Sequence, residues 1–157
     1  MATPDFILEL RRRIGHDLLW LPAVTAIVLD PPRERMLAVR RADNGTWTPV
    51  TGIVDPGEEP ATAVVREVLE EADIECTPVR LIDVRAHPPQ THVNGDRAQY
   101  LVHCFVCEHV SGDPSPADGE NTEARWFPVD QPPPMKEHFL DQLQLALEDR
   151  PETRFRR

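Results

Sequence analysis

The chain has 157 residues, a length that fits one domain with a sizeable hydrophobic core. Its apolar content of 40% is too high for a disordered chain, and its 27 acidic against 17 basic residues exclude a nucleic-acid binder that relies on phosphate attraction. An anionic substrate would therefore need a local basic patch or a bridging cation.

The N-terminal segment is predicted to form a helix that leads into a core strand. Residues 4–15 carry an imperfect apolar stripe, which predicts a helix. The apolar run at residues 18–29 is too short to span a bilayer, and Asp17 and Pro22 break the wider stretch. We interpret its resemblance to a signal peptide as superficial, and we expect no membrane partner and a cytoplasmic location.

A hairpin and a short extended segment come next. Residues 22–29 and 35–41 have strand-like composition, and the DPPRE segment between them is typical of a hairpin connection. Residues 47–54, WTPVTGIV, are predicted to be extended. The DPG sequence that follows predicts a turn with Pro56 and Gly57 at its centre.

Residues 60–72 give the clearest helix prediction. Pro60 suits the first turn of a helix, and Asp73 stands where the helix is expected to stop. Apolar residues at helical spacing predict a buried face. That predicted face consists of Ala61, Val64, Val65, Val68, Leu69 and Ala72.

The rest of the chain is predicted to contain three strands and a closing helix. The strands are expected at residues 79–86, 99–110 and 123–129, and the helix at residues 135–148. The sequence contains no internal repeat and no linker long enough to divide it. We therefore predict one domain over residues 1–157.

Three cysteines are too few for a disulfide framework. Cys104 and Cys107 have CxxC spacing but lie in a predicted strand, where residues three apart point to opposite faces. We predict buried thiols there, with a redox or zinc pair as the alternative.

A cluster of carboxylates marks the predicted helix over residues 60–72. Glu67, Glu70 and Glu71 stand at i, i+3 and i+4 and share a face, where like charges cost about 0.2–0.5 kcal/mol per pair. Arg66 lies about 100° around the helix and cannot neutralise all three. Clustered oxygen ligands suit a hard divalent cation such as Mg²⁺. The alternative is a solvated helix face.

The segment GIVDPGEEPATAVVREVLEEADI, residues 52–74, resembles the Nudix box, whose pattern is G-x5-E-x7-R-E-U-x-E-E-x-G-U with U aliphatic. The matching positions are Gly52, Glu58, Arg66, Glu67, Val68, Glu70, Glu71 and Ile74. Asp73 stands where the pattern has glycine, and Asp is among the few other residues that tolerate a left-handed conformation. The resemblance implies an α/β fold, an α/β/α sandwich with a mixed central sheet.

The resemblance also implies a set of metal ligands. Glu67, Glu70 and Glu71 are expected to hold Mg²⁺, with Mn²⁺ as an alternative, and the carbonyl of Gly52 is expected to add a ligand. Glu67 and Glu70 are also expected to be catalytic.

Two further roles follow from the same resemblance. Glu58 and Arg66 are expected to pair and to fix the loop on the helix. The general base is either a glutamate of the box or one from a later loop, where Glu120 is preferred and Glu123, nearer the strand, is expected to be structural.

Candidate substrate contacts are weaker predictions. Arg40 and Arg41 end a predicted strand and are expected to meet phosphates. Trp47, Tyr100 and Trp126 are candidates for stacking on a base, with a place in the core as the alternative.

The implied function is hydrolysis of a nucleoside diphosphate linked to another group: a nucleoside triphosphate, an oxidised nucleotide or a nucleotide sugar such as ADP-ribose. The expected partner is a small-molecule nucleotide or nucleoside diphosphate derivative, without nucleic acid, and a homodimer stays open. The alternative is a Nudix-fold binding or regulatory module that has lost catalysis.

Overall fold

The computed structural model describes residues 3–148 and 150–157, so residues 1, 2 and 149 of the predicted domain lie outside the described residues. In chain order the elements are α1 (Asp5–Ile14), β1 (Leu19–Leu29), β2 (Arg35–Arg41), β3 (Trp47–Thr48), β4 (Val50–Ile53), α2 (Pro60–Ala72), β5 (Glu75–Ala86), β6 (Gln90–Thr91), β7 (Arg97–Ser111), β8 (Asn121–Pro128) and α3 (Glu137–Leu147). The predicted helices and strands are all present, and β1, β5, β7 and β8 begin earlier than predicted.

The strands form one mixed sheet. Its central order is β3-β2-β1-β7-β5, with β4 beside β1, β6 beside β7 and β8 beside β2. β1 and β7 run parallel over the whole length of β1, whereas the other pairs are antiparallel. The predicted hairpin of β1 and β2 is confirmed, because these strands pair in antiparallel register.

Helices cover both faces of the sheet, which confirms the predicted α/β/α sandwich. Successive residues of β1 alternate between the faces: Val24 packs in the cluster beneath α2, together with Val68, and Ile27 packs in the cluster beneath α3, together with Leu143. Leu21 lies on the same face as Ile27 and packs under α1. Each fully buried aliphatic side chain contributes roughly 1.5–3 kcal/mol relative to an exposed one.

The ends of α2 lie where local signals place them. Pro60 occupies the first turn, and Asp73 follows the last turn with φ 55° and ψ 36°. The left-handed conformation predicted for Asp73 is therefore confirmed. Its backbone N–H donates to the carbonyl of Leu69, which closes the helix end.

The buried face of α2 differs from the predicted face, because two predicted residues are exposed and other residues are buried in addition. Ala61 and Leu69 were predicted to face the core, but both are exposed, and Leu69 keeps 47% of its surface accessible. Glu67 and Glu71 take inward positions instead. The side of α2 that faces the sheet therefore does not coincide with its apolar stripe, and the carboxylates of Glu67 and Glu71 lie in the interior.

The cysteine prediction is confirmed. Cys76, Cys104 and Cys107 are free and buried. Cys104 packs in the cluster beneath α3 and Cys107 in the cluster beneath α2, so the two thiols of the CxxC spacing point to opposite faces of the sheet. In the described part of the chain, no helix has the length and apolar character needed to cross a membrane.

Candidate active site

An ion pair joins the loop before α2 to the helix. Arg66 donates from Nε and from a terminal guanidinium nitrogen to the carboxylate of Glu58, at 2.9 and 2.8 Å. The same guanidinium donates to the carbonyl of Ile53 at 3.2 Å, and Glu58 accepts from the N–H of Asp55 at 3.1 Å. Arg66 holds the pKa of Glu58 below its ordinary value. These contacts fix the loop geometry around the end of β4.

Glu67 is the most deeply placed carboxylate of the cluster. It is 0% exposed, and burial raises its pKa from 4.5 to about 8, although Arg66 opposes the rise. Oε1 accepts from Arg66 at 2.9 Å, whereas Oε2 is buried without a hydrogen-bond partner. A Cβ on residue 52 would overlap the Glu67 carboxyl group. Gly52 is therefore what allows this carboxyl group to lie against β4.

Glu71 lies one turn further along the same buried side of α2. It is 5% exposed, and burial raises its pKa to about 7. Its Oε2 accepts from Nδ2 of Asn121 at 3.0 Å, and this hydrogen bond opposes the rise. Asn121 is itself buried at the start of β8. Sequence reasoning did not single out Asn121, whose one visible signal is its place directly after Glu120.

Glu70 stands at the rim of the cluster. Its side chain keeps 43% of its surface accessible, and it accepts from Arg66 at 3.3 Å. The three glutamates thus have different surroundings, because Glu67 and Glu71 lie inside and Glu70 faces solvent.

The donor set fits a divalent cation. Within residues 3–148 and 150–157, no three His, Cys, Asp or Glu side chains already stand close enough to hold an ion. Two buried carboxylates nevertheless lie one turn apart, and Glu67 Oε2 lacks a partner. Carboxylate oxygens are the ligands that Mg²⁺ prefers, and a cation would supply that partner.

The loop before β8 brings Glu120 near the cluster. The carbonyl of Glu120 accepts from the N–H of Ala42 at 2.8 Å, and its neighbour Asn121 contacts Glu71. The charge of Glu120 adds to the rise in the pKa of Glu71. Glu123 lies on β8 itself and forms ion pairs with Arg40, at 2.9 Å, and with Arg125.

The two candidate arginines differ in position. Arg41 donates twice to the carboxylate of Asp43, at 3.0 Å each. These bonds raise the pKa of Arg41, and the charges of Glu120 and Glu71 add to the rise. The hydrogen-bond partner of Arg41 is therefore Asp43, and the guanidinium lies within electrostatic range of Glu71 and Glu120. Arg40 instead points to Glu123, to which it donates at 2.9 Å.

The candidate aromatic residues pack in three different hydrophobic clusters. Trp47 contacts Phe127 edge to face, with 4.9 Å between ring centroids, in the cluster beneath α3. Tyr100 packs against the cluster under α1, and its hydroxyl group lies 2.9 Å from His92 Nε2. Trp126 packs in the cluster beneath α2. The structure thus brings Gly52 against Glu67, whereas Trp47 lies in the cluster beneath α3.

Comparisons with known proteins agree on one family. The NUDIX domain model matches residues 19–146. The chain is 29% identical over 143 residues to 8-oxo-dGDP phosphatase NUDT18 of Mus musculus, covering 87% of this chain and 40% of the relative. It is 31% identical over 140 residues to NAD-capped RNA hydrolase NudC of Pseudomonas syringae pv. tomato, covering 85% and 47%. The chain thus spans less than half the length of these two relatives.

Solved structures share the fold. An ADP-ribose pyrophosphatase from Streptococcus suis aligns with a TM-score of 0.67 at 21% identity, covering 87% of this chain and 98% of that one. A NUDIX hydrolase from Nitrosomonas europaea aligns with a TM-score of 0.64 at 26% identity, covering 81% and 88%. Because the family model covers most of the chain, the protein is a member of the Nudix hydrolase family.

Proposed function

We propose that this protein is a divalent-cation-dependent pyrophosphohydrolase that cleaves a nucleoside diphosphate linked to another group. One observation carries the proposal: α2 turns two glutamates into the interior, and Glu67 Oε2 lies there without a partner beside Gly52. Arg66 pairs with only one oxygen of Glu67, and burying the second oxygen of an ionised carboxylate without a partner lowers the stability of the fold. A bound cation removes that cost.

Each residue of the site has a proposed task. Glu67, Glu70 and Glu71 hold the ion, with the carbonyl of Gly52 as a further ligand. A Mg²⁺ or Mn²⁺ ion held there would supply positive charge to neutralise phosphate and would make a bound water molecule a stronger nucleophile towards phosphorus. Glu120 accepts the proton of that water. A bond forms between the water oxygen and phosphorus as the bridging P–O bond of the anhydride breaks, and the leaving phosphate departs with the electrons of the broken bond.

Neighbouring side chains keep these groups in place. The ion pair of Glu58 and Arg66 holds the loop against α2, and Asn121 holds one oxygen of Glu71. Arg41, which lies within electrostatic range of Glu71, exchanges Asp43 for a substrate phosphate. Its guanidinium has the fork geometry that binds phosphate with two hydrogen bonds.

The relatives define which substrates should be tried. Their names include an 8-oxo-dGDP phosphatase and an NAD-capped RNA hydrolase, so oxidised nucleotides, nucleotide sugars, dinucleotides and a capped RNA end belong in one panel. The net charge of −10 favours the small nucleotides over RNA. The second candidate function, a binding module without catalysis, is disfavoured because all three box glutamates are present.

The test is product release from this panel with Mg²⁺, with Mn²⁺ and with EDTA. We expect turnover with either metal and none with EDTA. Glu70→Gln should lower turnover by roughly a hundredfold or more with little change in stability. Glu59→Gln is the matched control, because Glu59 is exposed at the start of the same helix. Hydrolysis in ¹⁸O-labelled water identifies the phosphorus that is attacked.

Two results would contradict the proposal. If no member of the panel is cleaved at enzyme concentrations comparable to substrate, the binding-module alternative is favoured. If Glu70→Gln turns over like the Glu59→Gln control, Glu70 is not a ligand.

A further inference from the structure

A groove lies beside the carboxylate cluster, between α1 and the loop that precedes α2. Its volume is about 480 Å³, within the range of roughly 300–1,000 Å³ that is typical of small-molecule sites. Its walls are formed by Pro4, Asp5, Phe6, Asp55, Pro56, Arg66 and Glu70. Glu70 and Arg66 belong to the candidate active site, so the groove opens directly from it.

One wall of this groove lies outside the shared domain. The NUDIX domain model begins at residue 19, whereas Asp5 and Phe6 belong to α1. The opposite wall, with Asp55 and Glu70, is part of the region that the model matches. A wall formed by α1 can affect which substrate binds, because it contacts the substrate without altering the residues that would hold the ion.

The charges of the groove disfavour a second phosphate group. Asp5 and Asp55 contribute carboxylates that do not belong to the proposed ligands of the ion, and Arg66 is the one cation among the described lining residues. Arg66 already donates to Glu58 and to two glutamates of α2. The N-terminal end of α1 would attract an anion through the helix dipole, but Asp5 occupies its first turn.

The same residues suit a neutral, hydroxyl-rich group. Phe6 is half-buried, because it packs against the cluster of Ile7 and Leu21, and it also lines the groove. An aromatic ring in this position supports a base or a sugar face by stacking. The carboxylates of Asp5 and Asp55 accept hydrogen bonds from hydroxyl groups.

We propose that this groove binds the group on the far side of the cleaved diphosphate, and that this group is an uncharged sugar or nucleoside. The inference rests on the proposed function, because Glu70 belongs to both sites. The substrate class is then a nucleotide sugar or a dinucleotide, and a nucleoside triphosphate fits poorly because its terminal phosphates meet carboxylates.

The test compares substrates that share adenosine and a phosphoanhydride but differ in the far group. ADP-ribose and diadenosine diphosphate carry a sugar or nucleoside there, whereas ADP and ATP carry phosphate. We expect wild-type enzyme to prefer the first pair. Phe6→Ala should lower kcat/KM for ADP-ribose by about tenfold, through KM, and change kcat/KM for ATP less than twofold. Asp5→Asn provides a second variant that leaves the packing of Phe6 intact.

Two exposed positions on α1 supply matched controls. Leu8→Ala removes an apolar side chain, and Glu9→Gln removes a charge, without touching the groove. Both should behave like wild type. The proposal is overturned if wild-type enzyme cleaves ATP or ADP at least as well as ADP-ribose. It is also overturned if neither Phe6→Ala nor Asp5→Asn changes the ratio of kcat/KM for ADP-ribose to kcat/KM for ATP.

A binding measurement separates this proposal from the catalytic one. Non-hydrolysable methylene analogues of ADP-ribose and ADP are titrated into the protein with Mg²⁺ by calorimetry. About tenfold tighter binding of the ADP-ribose analogue, lost in Phe6→Ala or Asp5→Asn, supports the groove even if no substrate is turned over. Equal affinity for the two analogues overturns the proposal that the groove binds a sugar or nucleoside. Absent turnover alone counts only against the proposed function.

Discussion

Replacing Glu67 by glutamine should stabilise the metal-free protein and abolish turnover. The folded state raises the pKa of Glu67 from 4.5 to about 8, so its ionised form is disfavoured in the interior. One pKa unit corresponds to about 1.4 kcal/mol, which gives a penalty of roughly 3 kcal/mol at pH 7. Glutamine removes the charge but buries an amide whose donors cost about 1 kcal/mol. The net expected gain is about 2 kcal/mol.

The gain should depend on pH with a definite sign. Below pH 4.5 Glu67 is protonated in both the folded and the unfolded state, and the penalty is absent. Between pH 4.5 and about 8 the unfolded state binds fewer protons than the folded state, so the stability of the wild-type protein falls as pH rises. Glu71, with a pKa near 7, contributes in the same direction in both proteins. The difference between Glu67→Gln and wild type should therefore grow from pH 5 to pH 8.

Urea unfolding and thermal melts in EDTA at pH 5, 6, 7 and 8 measure this difference. We expect Tm of Glu67→Gln to exceed that of wild type by several degrees at pH 8, since 1 kcal/mol shifts Tm by about 2–4 °C in a domain of this size. Added Mg²⁺ should raise Tm of wild type but not of the variant. The reasoning is refuted if Glu67→Gln is less stable than wild type at pH 8 without metal, or if the difference does not grow with pH.

Three other substitutions test the geometry around this carboxylate. Gly52→Ala places a Cβ on the Glu67 carboxyl group, so it should lower the free energy of unfolding in urea by about 1–3 kcal/mol and abolish most of the turnover. Wild-type turnover in this variant would contradict the close approach. Asn121→Ala leaves Glu71 buried without its donor, so we expect a loss of about 1–3 kcal/mol and a rise of about tenfold or more in the Mg²⁺ concentration for half-maximal turnover. An unchanged Mg²⁺ titration would show that Asn121 is only structural. Asp73→Gly should be neutral or slightly stabilising in thermal melts, because glycine adopts the left-handed conformation without steric cost, and a loss of about 1 kcal/mol or more would refute this.

Local signals were enough to predict α2 and its ends. Pro60 and Asp73 act within one turn of their own positions, so their effects are visible in the sequence. The prediction for the inward face of α2 was confirmed at Val64, Val68 and Ala72 but missed Glu67 and Glu71, because apolar periodicity assigns leucine to the core and glutamate to solvent. Whether Glu67 and Glu71 are buried depends on how α2 packs on the sheet, and the residue pattern of the helix alone carries no information about that packing.

Long-range contacts account for the rest of what was missed. Asn121 meets Glu71 across 50 residues of chain, and only the pairing of β8 with β2 brings them together. The same limit applies to aromatic residues on strands. Trp47 packs against Phe127 beneath α3 because strand register decides which face it occupies, and register follows from pairing along the whole sheet.

The hydrogen-bond partners of the buried glutamates bear on the proposal that this cluster binds a cation. A lysine or arginine opposite Glu71 would complete an ion pair and leave no charge for a ligand. The partner is the neutral amide of Asn121, which fixes one oxygen and preserves the negative charge. On the other side, Arg66 is shared between Glu58, Glu67 and Glu70. Four carboxylates that share the guanidinium of Arg66 remain negative overall when ionised, and a divalent cation would balance them while the Asn121–Glu71 and Arg66–Glu58 contacts stay in place.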